Sequence, residues 1–250
     1  MDSDEINLNL RGVTIEKLRS GSTLLFDKPL NWTSFDLVNK VRRIIRRATG
    51  ERRIKVGHAG TLDPLATGLM ILCTGRATKS ISGFTSLDKE YVATIKVGET
   101  TPSYDLETEI DKSYPTDHIS EEKIAGILPL FIGEQTQVPP AYSAKYIDGV
   151  RAYELARSGE AREPRPVTVN ISQIEMVDFT DRLLKIRVLC SKGTYIRSLA
   201  RDIGRALDSG AHLVGLIRTK IGDYKLDEAV TPDYFEKFVD LLQQNGDGFV

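Results

Sequence analysis

The chain is 250 residues long, 40% hydrophobic and 28% charged, and its 34 Lys/Arg and 35 Asp/Glu leave a formal net charge of -1. That length suits one large domain, or one and a half, with a good core, and the charge balance argues against a uniformly basic nucleic-acid binder. No apolar stretch approaches the roughly 20 residues a membrane helix needs, and the acidic, polar start from Met1 to Asn9 does not read as a secretory leader.

Ser22 to Asp27 reads as a strand ending in the turn Lys28-Pro29. Trp32-Thr33-Ser34 then opens a helix, with a hydroxyl available to cap it. Val38, Val41 and Ile45 share one face of that helix, and Arg42, Arg43, Arg46 and Arg47 share the opposite one. Between Lys40 and Lys55 the chain holds eight Lys/Arg and one acid, Glu51. Such a run is either a solvated face or a surface for a phosphate backbone, and the residues alone leave both readings open.

Gly68 to Thr74 is a continuous apolar run and predicts a buried strand. A helix is expected from Gly75-Arg76 through Ser86, and a strand over Tyr91 to Val97. Ile119 to Phe131 and Val150 to Ser158 look helical, while Val167 to Val177 and Leu183 to Cys190 are rich in β-formers. In the latter, Leu184, Ile186, Val188 and Cys190 fall on one side. After the turn Ser191-Lys192-Gly193 comes a strong helix with the apolar stripe Ile196, Leu199, Ala200, Ile203 and Leu207. Arg197, Arg201 and Arg205 are expected away from that stripe. Thr231 to Gln244 reads as a short amphipathic helix. Strands and helices mix without strict βαβ alternation, which predicts an α+β fold on a mixed, largely antiparallel sheet. Cys73 and Cys190 lie in apolar runs without metal-ligand spacing and read as reduced core residues of a cytoplasmic protein.

The most unusual stretch runs from Gly57 to Gly68, GHAGTLDPLATG, with a single carboxylate and a single imidazole. Its glycines and proline predict a defined loop. Pro64 biases Asp63 toward extended geometry, aiming its side chain from a stiff loop just before a buried strand. Read as bare residues, Asp63 is either a turn residue or a catalytic acid, and His58 either satisfies a backbone group or meets a substrate.

This segment resembles the catalytic motif G-H-x-G-x-L-D-P-x-A-x-G of the bacterial tRNA pseudouridine-55 synthases, the TruB family. The resemblance continues in order along the chain. Lys28-Pro29 with Trp32-Thr33-Ser34 is similar to the family's N-terminal motif, Lys89-Glu90-Tyr91 to its tyrosine motif, and Ser191 to Arg197 (SKGTYIR) to its late motif. Gly210-Ala211-His212-Leu213 to Arg218-Thr219 resembles the motif that follows, and Pro139 to Lys145 (PPAYSAK) resembles a segment of the RNA-binding cleft.

The resemblance implies a pseudouridine synthase fold, a sheet flanked by helices and loops around an RNA-binding cleft, and conversion of uridine to pseudouridine with flipping of the target base. It implies Asp63 as the catalytic aspartate, Arg197 as the arginine that pairs with it, and Tyr91 and Tyr195 as active-site tyrosines. It places His58, Leu216, Lys28, Lys79, Asp105 and Lys145 at the substrate, and makes Arg42, Arg43, Arg46 and Arg47 candidates for the RNA backbone, with Arg151 and Arg157 following phosphates near Lys145. Asp105 lies in a T-x-S-x-D pattern whose usual D-x-x-G tail is here Asp105-Leu106-Glu107-Thr108, so its role is either structural or substrate contact. No cofactor and no metal are expected, since the reaction adds and removes no atom. The implied organisation is an N-terminal extension at 1–21, a catalytic domain at 22–230 and a short C-terminal helix and tail at 231–250, without the PUA domain of many members. The expected partner is the T arm of tRNA, with no membrane and no guide RNA, and the protein is expected to be a monomer.

Three rival functions compete. A glycosidase or nucleoside hydrolase would need a second carboxylate or a metal-binding aspartate cluster. A silent RNA chaperone would not need the Asp63, Tyr91, Tyr195 and Arg197 set. A guide-dependent subunit would be expected to carry the PUA domain.

Overall fold

The computed structural model describes residues 7–143, 145–160, 162 and 164–245. The acidic residues 1–6, Ala144 of the PPAYSAK segment and the tail at 246–250 lie outside the described residues.

Helix α1 (Ile15–Ser20), capped by Thr14, leads into strand β1 (Thr23–Lys28). Helix α2 (Ser34–Thr49) begins with a capping box: Thr33 Oγ1 accepts from the Asp36 N–H, and an Asp36 carboxylate oxygen accepts from the Thr33 N–H. It ends at Gly50 in the left-handed region (φ 68°), which costs glycine no steric penalty. Strands β2 (Val56–His58) and β3 (Ala66–Thr74) follow, then a 3-10 turn (Gly75–Ser80) and helix α3 (Ile81–Ser86) where one helix was expected.

Next come β4 (Lys89–Val97) and the ribbon β5 (Glu99–Thr100) with β6 (Lys112–Ser113). Helix α4 (Glu121–Ile127) passes into a 3-10 turn (Leu128–Phe131) at Pro129, which lacks the N–H that would continue an α-helix. Strand β7 (Gly133–Gln137) and the ribbon β8 (Tyr146–Ile147) with β9 (Val150–Arg151) precede the short helix α5 (Ala152–Arg157). The rest is β10 (Val167–Thr180), β11 (Leu183–Cys190), α6 (Ile196–Ala206), β12 (Ala211–Ile221), β13 (Tyr224–Lys225) and α7 (Pro232–Asn245). The architecture is α+β, as expected, with antiparallel strand pairing and one isolated parallel bridge between Phe26 and Val230.

The chain packs as two compact units, residues 1–89 with 217–250 and residues 90–216. In the first, β3 pairs with β1 in the register Lys28 to Gly68, and also with β2 in the register Gly57 to Cys73. Leu25, Ala59, Leu69, Ile71, Cys73 and Ile221 form a buried cluster. Leu10 and Leu18 are fully buried as well, so the described part of the N-terminal stretch is packed into this unit. Phe26 meets Phe235 edge to face, with ring centroids 5.2 Å apart, and α2 packs on α7; Leu37 and Val41 of α2 and Phe235, Phe238 and Val239 of α7 are buried.

In the second unit β10 pairs with β11 on one edge and β7 on the other. Leu184, Ile186, Val188 and Cys190 are all buried, as the alternation predicts, and face the core with Ile196, Leu199, Ala200 and Ile203 of α6. Gly204 lets α6 approach the chain at Ala211: a Cβ there would sit 2.4 Å from the Ala211 nitrogen.

Candidate active site

The first unit builds the loop that carries Asp63. Ser34, the first residue of α2, turns its hydroxyl into the loop: Oγ donates to the Leu62 carbonyl at 2.9 Å and accepts from the Leu62 N–H at 2.8 Å. The Asn31 N–H donates to Pro64 O at 2.9 Å, and the Ala66 N–H to Asp63 O at 3.1 Å. From β12 comes Arg218, 1% exposed, whose guanidinium donates to Leu69 O at 2.7 Å and to Thr61 O and Gly60 O at 3.3 Å. A buried guanidinium is tolerable only where its donors are satisfied, and here they are spent on carbonyls flanking the aspartate. Gly68 makes this approach possible: its φ is +109°, and a Cβ would lie 2.4 Å from Arg218 O. Asp63 itself is half-buried on this fixed backbone.

Lys28 ends β1 opposite Gly68 and is fully buried. Its ammonium donates to Pro29 O at 2.9 Å and Trp32 O at 2.6 Å, tying the turn that precedes α2. Burial is the largest influence and pulls its pKa down to about 8; the negative charge of Asp63 opposes that, while Arg218 adds to it. His58 is half-buried, and burial lowers its pKa below 6.5, with the Gly60 backbone offsetting part of the shift and Arg218 adding to it. The ring is therefore neutral at pH 7. Lys79 is exposed on the 3-10 turn after β3.

The arginine face of α2 is divided. Arg42 donates to Asn39 Oδ1 and Val56 O, and Arg47 pairs with Glu236 at 3.1 Å and Asp240 at 2.5 Å of α7, where Lys40 also meets Glu236. Arg43 and Arg46 are exposed and, with Arg47, Glu51 and Arg52, border an open recess of about 390 Å³ at the end of the helix.

The second unit holds the other candidates. Arg197 and Arg201 are buried in the first turns of α6, at 4% and 6% exposure, while Arg205 is exposed. Lying away from the apolar stripe therefore does not leave all three in solvent. The reason is that the unit supplies partners: Arg197 Nε lies 3.5 Å from Asp105 Oδ2, its Nη1 donates to Tyr142 O at 2.9 Å, and Arg201 bonds Asp202 and stacks over Tyr104 at 4.9 Å. Asp105 is itself buried in a tight turn, where Thr101 Oγ1 donates to Asp105 O at 2.6 Å and the Glu107 N–H to Asp105 Oδ1 at 3.0 Å. Asp105 thus stands at ion-pair distance from Arg197, both side chains buried. Tyr91 near the start of β4 and Tyr195 before α6 are half-buried, Leu216 on β12 is buried and Lys145 is exposed. Arg151 stacks over Tyr146, and Arg157 pairs with Glu107 at 2.6 Å.

Three residues hold these candidates in ways the sequence does not show. Ser34 stands there only within Trp32-Thr33-Ser34, where a hydroxyl is available to cap the helix and Thr33 is the one that does so. Arg218 shows itself only as part of a motif. Gln137, which binds the Tyr195 backbone through both ends of its amide, lies in a strand too polar to be recognised.

Comparison with known proteins gives the family. Residues 45–196 match the family description "TruB family pseudouridylate synthase (N terminal domain)", and residues 197–248 match "tRNA pseudouridylate synthase B C-terminal domain". A tRNA pseudouridine synthase B of Parabacteroides distasonis is 57% identical over 226 residues, covering 90% of this chain and 95% of the relative. One from Phocaeicola vulgatus is 56% identical over 222 residues, covering 89% and 94%. Among solved structures, a Cbf5-Nop10-Gar1 complex contains a chain 28% identical with a TM-score of 0.71; the match covers 98% of this chain and 63% of that one. The chain belongs to the TruB family of pseudouridylate synthases.

Proposed function

We propose that this protein converts a uridine in the T arm of tRNA, position 55, to pseudouridine, with Asp63 as its catalytic carboxylate. The observation that carries the reading is the backbone around Asp63, held at Leu62 by Ser34, at Gly60 and Thr61 by Arg218, and at Pro64 by Asn31. Such investment in one loop suits a group that must meet a reacting atom with little freedom. The names of the relatives support tRNA as the substrate.

The reaction breaks the N1–C1′ bond, turns the base and forms a C5–C1′ bond. The proton leaves C5, N1 regains one, and the product is an isomer of the substrate. Asp63 acts either as a nucleophile toward the nucleoside or as the anion that balances positive charge on the sugar. Arg197, oriented by Asp105, pairs with Asp63 in this reading. Tyr91 stacks on the flipped base, Leu216 lines its pocket and Tyr195 lies beside the target nucleotide. The neutral His58 meets the T loop, and Lys28 holds the turn under the aspartate. Arg43 and Arg46 take RNA phosphates, joined by the exposed Lys79 and Lys145. The chain selects its own site as a monomer, without a guide RNA, in the cytoplasm.

Incubating the protein with unmodified tRNA and mapping the product tests this. A single pseudouridine in the T loop supports the reading; release of free uracil would identify a hydrolase instead.

A further inference from the structure

Gln137 is the last residue of β7 and 4% exposed. Its side-chain oxygen accepts from the Tyr195 N–H at 2.7 Å, and its amide nitrogen donates to the Tyr195 carbonyl at 3.1 Å. One side chain thus reads both polar groups of one backbone residue, which fixes the orientation of the amide as well. Tyr195 is the N-cap position of α6 and makes no side-chain cap bond. The chain after Gln137 adds two more links: Ser198 Oγ donates to Val138 O at 2.8 Å and Arg197 Nη1 to Tyr142 O at 2.9 Å. Pro139 and Pro140 stiffen the segment between those acceptors.

We infer that Gln137 is a positioning residue of the active site, clamping the Tyr195 peptide and so fixing where the side chains of Tyr195 and Arg197 leave the start of α6. The inference rests on the proposed catalytic use of those two residues. The segment that follows, matched above to the RNA-binding cleft, gains a second task through Tyr142, whose carbonyl holds Arg197 of α6. The Gln137 amide takes up the N–H of the N-cap residue Tyr195 and adds a donor to its carbonyl, so it holds the residue through which the chain enters the helix.

Two variants test the clamp in the full-length protein with tritiated T-arm RNA. Gln137→Leu keeps the volume and removes both hydrogen bonds. At saturating RNA its single-turnover rate is expected to fall by about 10- to 100-fold, with RNA affinity within about twofold. Gln137→Glu keeps the acceptor for the Tyr195 N–H but sets a carboxylate oxygen against the Tyr195 carbonyl. A carboxyl buried there against a carbonyl oxygen is raised above the ordinary range of about 4.3, and its protonation restores a donor, so the variant's rate relative to wild type is expected to rise as pH falls from 8 to about 5. A Gln137→Leu enzyme with the wild-type single-turnover rate, whatever its melting temperature, would overturn the inference. So would a loss confined to RNA affinity, or a Gln137→Glu ratio that does not respond to pH. A wild-type protein that releases no tritium would instead sink the functional reading, and the positioning role with it.

Discussion

The Ser34 hydroxyl is both donor and acceptor to the same residue, Leu62, at 2.9 and 2.8 Å. One buried oxygen thereby fixes the residue before Asp63 to the first turn of α2. Ser34→Ala leaves the Leu62 N–H and carbonyl buried and unsatisfied, a cost of about 1–3 kcal/mol. The expected outcome is a lower urea midpoint with an unchanged slope, together with a reduced single-turnover rate; an unchanged midpoint would show that water replaces the hydroxyl.

Gly68 and Gly193 both have positive φ, +109° and +82°, but only Gly68 faces a backbone, with Arg218 O 2.4 Å from a would-be Cβ. Gly193→Ala is expected to cost about 1 kcal/mol, the conformational penalty alone. Gly68→Ala adds a steric clash that shifts either β3 or Arg218, for a total of about 3–5 kcal/mol. Urea unfolding of the two variants side by side measures the difference.

Lys28 titrates near 8 in the folded protein against 10.5 when free. Between those values the unfolded chain holds the proton and the folded chain sheds it, so folding gains stability as pH rises. The stability of wild type relative to Lys28→Met is therefore expected to increase from pH 8 to pH 10, by on the order of 1–3 kcal/mol. Denaturant melts across that window give the sign directly, and a difference that falls would mean the lysine is stabilised as a cation.

Charge reversal separates the two kinds of arginine on α2. Arg43→Glu with Arg46→Glu is expected to weaken RNA binding at least ~10-fold and to flatten its dependence on salt by about two phosphate contacts. Arg47→Glu instead sets three acids together at Glu236 and Asp240, and is expected to act chiefly on α7 packing. RNA titrations at several salt concentrations, paired with thermal melts, distinguish the two.

Much of this arrangement is legible in the sequence because it is local. The Thr33 cap, the apolar run of β3 and the alternation of β11 each declare themselves within about ten residues. What stays hidden depends on partners far along the chain. Strand β7, Gly-Glu-Gln-Thr-Gln, carries no apolar alternation because it is an edge strand held by its pairing with β10. Arg197 and Arg201 look like surface residues until Asp105 and Tyr104 are seen to receive them. Arg47 looks free for RNA until α7 brings Glu236 and Asp240 across it. The motifs point to the candidate residues, but what Ser34, Arg218 and Gln137 bind is set by distant backbone groups, which no local pattern in the sequence announces.

The carboxylate of Asp63 is the centre of the account, and Asp63→Asn is the smallest change that removes it. Tritium release from T-arm RNA carrying 5-labelled uridine, measured in single turnover beside RNA affinity, is the direct test. The account predicts no release above background with binding within a few fold of wild type; release at the wild-type rate would contradict it.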